Sequence, residues 1–73
     1  MEKEKYNDWG EEDEKLYRKA KKIVIENKNI SASFLQIKLK IGYIKAARLL
    51  DVLEERGVIS EFEYPNGRKI LTP

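Results

Sequence analysis

Carboxylates and cations crowd the stretch from Arg48 to Arg56, so acid–base chemistry is the first function to consider there. Two carboxylates work as general acid and base only when both face one substrate. Glu54 and Glu55 are neighbours, and neighbours on a helix point about 100° apart. Asp51 and Glu55 do share a helix face, but an exposed face has neither the pocket nor the desolvation that tunes a carboxyl group. With no cysteine and no histidine in the chain, thiol and imidazole catalysis, disulfides and Cys/His zinc sites are excluded. No glycine-rich loop runs into Lys-Ser or Lys-Thr, so the phosphate-binding loop of an ATPase is missing. The sequence reads as a non-enzyme with no metal and no cofactor.

Binding chemistry is better represented. The 73 residues carry a net charge of only +2, but that average hides a division. Residues 1–14 hold seven acids against two lysines, whereas residues 15–73 hold 13 basic and six acidic side chains. An acidic leader precedes a basic body, and a basic body points to a polyanion. A solvated surface without a partner has the same composition. The chain is long enough for one small domain. It has no apolar run that would cross a membrane and no signal peptide at Met1-Glu2-Lys3-Glu4-Lys5. A cytoplasmic setting is expected.

Three helical segments must position these charges. Residues 1–12 show no period and read as a flexible leader, with Trp9 folded loosely onto the body or held for a partner. From Asp13, the residues Leu16, Ala20, Ile23, Val24 and Asn27 keep helical spacing, with Tyr17 widening the stripe, and predict a helix over 13–27. Asn27-Lys28-Asn29 is its expected stop, since Asn tolerates left-handed backbone. Ser31 or Ser33 caps a short helix over 32–39, and Gly42 is expected to supply a backbone conformation that other residues resist. In the third segment, Tyr43 to Arg56, the residues Ala46, Leu49, Leu50 and Leu53 form the buried stripe. Ile44, Lys45, Arg48, Asp51, Val52 and Glu55 fall on the other side, and Gly57 ends the helix. Beyond it, runs over 59–64 and 68–72 flank Pro65-Asn66-Gly67, in which Asn-Gly is a hairpin signal because both residues accept positive φ.

Helix, short helix, tight turn, helix and hairpin is the order of a winged helix-turn-helix: mainly α, three helices plus a C-terminal wing over 13–73. In that arrangement the second helix of the motif enters the major groove of double-stranded DNA, and the wing reaches phosphates or a neighbouring groove. Small helical domains that bind proteins share the order.

Residues 13–71 carry a more specific signal. Asp13-Glu14-Lys15-Leu16-Tyr17, Ser31-Ala32-Ser33-Phe34-Leu35-Gln36, Ile41-Gly42-Tyr43-Ile44-Lys45-Ala46-Ala47-Arg48-Leu49-Leu50-Asp51 and Leu53-Glu54-Glu55-Arg56-Gly57-Val58-Ile59 resemble the gamma domain of the FtsK/SpoIIIE DNA translocases. The resemblance implies a winged-helix module that reads short, G-rich, strand-polarised chromosomal sequences and directs translocation. It also implies a tyrosine recombinase, and a motor domain on another chain, as partners.

By that resemblance the base-reading positions are Ile44, Arg48 and Asp51. Arg48 suits guanine, whose O6 and N7 accept two hydrogen bonds from one guanidinium, and Asp51 suits a cytosine amino group. In a solvated module, Arg48 would instead pair with Asp51 or Glu55. Ile44 departs from the family, which usually has Asn or Thr here; an isoleucine can only meet a thymine methyl or pack on protein. Backbone contacts are expected from Ser31, Ser33, Lys38, Lys40, Tyr43, Lys45, Arg68 and Lys69, with the serines capping first. The loop Tyr64-Pro65-Asn66-Gly67 differs from the family's usual one. Met1 and the unmatched leader favour a stand-alone protein over an excised domain. Two alternatives remain: a small transcriptional or plasmid regulator, and a protein-interaction module using Ile44 and Val52 as an apolar patch while the leader imitates DNA.

Overall fold

In a computed structural model, which describes residues 8–65 and 67–71, three helices follow in order: α1 (Glu11–Asn27), α2 (Ala32–Leu39) and α3 (Tyr43–Glu55). Expectations that involve residues 1–7, Asn66, Thr72 and Pro73 lie outside the described residues. Helix α1 starts two residues before the sequence period does. Gly10 is its N-cap, and the Gly10 N–H donates to Asp13 Oδ2 at 3.0 Å. Glu11, Glu12, Asp13 and Glu14 fill the first turn, where the exposed N–H groups favour negative charge.

The helices end differently from expectation at two places. The left-handed residues are Lys28 (φ 53°) and Lys40 (φ 56°), not an asparagine and not Gly42. Asn27 instead donates its side-chain amide back one turn, to Ile23 O at 2.9 Å. Gly42 has φ −80° as the N-cap of α3, an ordinary value, and a Cβ there would meet nothing within 4 Å. The turn between α2 and α3 therefore rests on Lys40, with Ile41 N–H closing back to Gln36 O at 3.2 Å.

Gly57 does act as the stop for α3. Its φ is +77°, and Gly57 N–H and Val58 N–H return to Glu54 O (3.0 Å) and Leu53 O (2.9 Å). This double closure is the Schellman arrangement, which needs a left-handed residue. No neighbour crowds a Cβ at that point, so Gly57→Ala loses stability through backbone strain alone. A loss of about 1–2 kcal/mol is expected in urea unfolding; an unchanged midpoint would show that the turn relaxes freely.

One core joins the parts: Tyr17, Ala20 and Val24 of α1, Leu35 of α2, Ala46, Leu49, Leu50, Val52 and Leu53 of α3, and Val58 and Ile59 beyond it. Val52 corrects the wheel reading, which put it on the exposed side; it is 1% exposed. The chain turns at Gly57 and lays Val58 and Ile59 into the same cluster, so the last turn of α3 is covered on a second side.

The C-terminal segment pairs with itself sparsely. Isolated antiparallel bridges link Ile59 with Ile70 and Glu63 with Gly67, and among the described residues there is no continuous strand. Glu63 N–H donates to Gly67 O at 3.0 Å and Gly67 N–H to Glu63 O at 2.6 Å. The bridge pairs Glu63 with Gly67, one residue earlier on each side than the expected runs, which end at Tyr64 and resume at Arg68; the Tyr64–Pro65 peptide is cis. The observed architecture is mainly helical and compatible with a winged helix. Among the described residues no helix is long and apolar enough to cross a membrane.

Candidate nucleic-acid interface

The face of α3 turned away from the core carries the predicted base-reading residues. Tyr43, Ile44 and Lys45 are exposed, Ile44 at 76%, while Arg48 and Asp51 are half-buried. They share that face because Ala46, Leu49, Leu50 and Leu53 commit the other one to the core. Arg48 lies five residues into the helix and Asp51 about one turn further.

Arg48 is already engaged by a residue distant in the sequence. Its Nη2 donates to Asp8 Oδ1, from the segment before α1. The guanidinium holds the Asp8 carboxyl below its ordinary range, chiefly through that hydrogen bond. Lys45 Nζ lies 3.8 Å from Asp13 Oδ1, the third residue of α1. Two cations of the α3 face thus have carboxylates from the acidic end of the chain beside them. Forty residues separate Asp8 from Arg48, and no local spacing rule reaches that far.

Arg56 and Glu14 fasten this end of the chain. Arg56 Nη1 and Nη2 donate to Glu14 Oε2 (2.7 Å) and Oε1 (3.0 Å), and Trp9 Nε1 donates to Glu14 Oε1 at 2.9 Å. The Arg56 guanidinium stacks 4.4 Å from the Tyr17 ring centre and 6.0 Å from that of Trp9. Trp9 packs against the core, the closer of its two expected states. These donors, Arg56 first and Trp9 second, bring Glu14 down to about 2. The Glu14 contribution to stability is present above its unfolded pKa near 4.5 and fades as pH falls toward 2.

The expected backbone contacts fall around α2 and the C-terminal segment. Ser31 caps α2, accepting from Phe34 N–H at 3.2 Å, and Ser33 is exposed in its first turn. Lys38 is exposed, with its Nζ 5.6 Å above the Phe34 ring, and Lys40 is exposed at the left-handed cap. A lysine where glycine is favoured costs backbone energy. Lys69 is exposed. Arg68 is not: its Nη1 donates to Glu54 Oε1 (2.8 Å) and Ser60 O (3.0 Å). In the free protein its role is to tie the C-terminal segment to α3.

Comparison with known proteins agrees with this architecture. Residues 11–73 match the family model of the Ftsk gamma domain. The chain belongs to the FtsK gamma domain family. A protein of Clostridium acetobutylicum named DNA translocase FtsK is 52% identical over 62 residues, covering 85% of this chain and 8% of that protein. The Leptospira interrogans protein of the same name is 48% identical over 61 residues, 84% of this chain and 6% of its own length. The one from Caldanaerobacter subterraneus is 41% identical over 63 residues, 86% and 9%. The gamma-domain chain thus spans less than a tenth of the relatives it matches. Asp8 and Trp9, which reach Arg48 and Arg56, and Gly10, the N-cap of α1, precede the matched residues.

Proposed function

We propose that this gamma-domain chain binds double-stranded DNA in a sequence-guided way, as a winged helix with α3 in the major groove and residues 59–71 as the wing. The observation that carries the reading is the outward face of α3, where Ile44, Lys45, Arg48 and Asp51 stand together over a fully apolar opposite face. An α-helix fits the major groove, and only there do base edges distinguish all four pairs. Arg48 takes a guanine, Asp51 a cytosine amino group, and Ile44 a thymine methyl in place of the hydrogen bond that Asn or Thr would give. Lys45, Lys40, Lys38, Tyr43, Ser31, Ser33 and Lys69 hold phosphates and set the register, and Arg68 positions the wing. The relatives' name, DNA translocase, supports the same ligand. In this reading the chain is the DNA-contacting part of such a cytoplasmic translocase, with the motor and a tyrosine recombinase as its protein partners. A docking patch of Ile44 with Val52 loses support, because Val52 is buried.

Arg48→Ala tests the reading. On the preferred site it should cost about 1–3 kcal/mol and flatten preference at one base pair, whereas Lys69→Ala should weaken all sequences alike. The measurement is selection from random duplex DNA, followed by titration at one stated salt concentration. An unchanged ranking of sequences with folded Arg48→Ala means that α3 is not the reader.

A further inference from the structure

The segment before α1 makes contacts that the family fold does not need. Asp8 offers its carboxylate to Arg48, the side chain with the chemistry for guanine. A carboxylate and a guanine edge present the same thing to a guanidinium, acceptor oxygen or nitrogen atoms lying in one plane. One residue on, Trp9 is held by Glu14 and lies beside Arg56, so the backbone cannot carry Asp8 far from α3. Asp13 adds a second carboxylate near Lys45. Asp8 itself is 72% exposed at its side chain against 25% for Arg48. The acid is therefore the outer partner, accessible from solvent, and the arginine is the more enclosed one.

We propose that Asp8 is a built-in competitor for DNA: it holds the place of an incoming base edge on Arg48 and must leave before α3 can dock. This rests on the DNA-binding reading above. Trp9 and Glu14 set its effective concentration by tethering it one residue away, as a short linker does for any intramolecular ligand. Removing the carboxylate takes Asp8 off Arg48 without touching a DNA-contacting residue. The contact is between exposed groups, so its worth is that of a surface ion pair, and Asp8→Asn should tighten duplex binding by about two- to fivefold at low salt. Neutralising the exposed Glu26 near the end of α1 changes net charge equally without altering the Arg48 contact.

The experiment titrates fluorescent duplex DNA, at 50 mM salt, with the unaltered chain, Asp8→Asn, Glu26→Gln and Trp9→Ala. Thermal unfolding of each checks that the fold is kept. A larger gain for Asp8→Asn than for Glu26→Gln, with part of that gain also in Trp9→Ala, supports the competitor. Equal gains for Asp8→Asn and Glu26→Gln would mean that only net charge matters, and would overturn it. Unchanged or weaker binding by Asp8→Asn overturns it too, and leaves the DNA-binding reading standing. Absence of binding by every variant would overturn that reading and the competitor with it.

Discussion

Raising salt from 50 to 200 mM should lower the affinity of this chain for duplex DNA about a hundredfold. Lys38, Lys40, Lys45 and Lys69 are exposed and lie on or beside the proposed groove-facing surface. If they meet about four phosphates, counterion release gives a log–log slope near −3.6. The slope counts phosphate contacts, whereas base contacts change affinity at every salt concentration alike. Exposed ion pairs inside the protein act in the opposite direction. Salt also loosens Asp8 from Arg48 and Asp13 from Lys45, which makes the cations more available, so the measured slope should be slightly shallower than the phosphate count predicts. Fluorescence anisotropy over a salt series measures it. Failure to bind at 50 mM would remove the DNA reading, and a slope near zero would remove the phosphate contacts while leaving some other basis for binding.

Leu53→Ala should unfold most of the population. Leu53 is fully buried in the last turn of α3, and its carbonyl receives the Val58 and Ile59 N–H groups. Truncating a buried leucine costs about 2–5 kcal/mol, from lost transfer energy and from the cavity left behind. A domain this small without disulfides rarely holds more than about 3–5 kcal/mol in total, so the loss is comparable with the whole. The collapse also removes the support for Arg48, because Leu49, Leu50 and Leu53 are what hold α3 with its charged face outward. Far-ultraviolet circular dichroism and urea titration give the result. A cooperative transition with nearly native stability would mean that the helices and the Val58–Ile59 turn can close the cavity. By contrast Ile44→Asn lies on an exposed side chain and should leave that transition in place.

Much of the molecule was legible in its order of residues. The three helices follow from apolar spacing at 3.6 residues per turn, and the outward side of α3 follows from where Ala46, Leu49, Leu50 and Leu53 fall. Gly57 announces the end of α3 because a side chain is disfavoured at positive φ. The run from Ile41 to Asp51 carries the family resemblance, and the family match over residues 11–73 agrees with it.

Contacts that depend on the path of the chain were not legible. Val52 looks exposed on a wheel, since a wheel assumes one burying surface, and only the return of Val58 and Ile59 supplies a second. Lys28 and Lys40 take the left-handed caps at positions where propensity names Asn or Gly. Packing of the flanking helices outweighs about 1–2 kcal/mol of local strain at each. Asp8 and Trp9 read as part of an acidic leader, a composition with no period and therefore no direction. Their placement against Arg48 and Glu14 comes from the packing of α1 beside α3. Sequence by itself determined which residues could face DNA. Tertiary structure alone decided that one of them, Arg48, meets a carboxylate of its own chain first, because a charge pairs with whatever the fold brings within hydrogen-bonding distance, however far away it lies in the sequence.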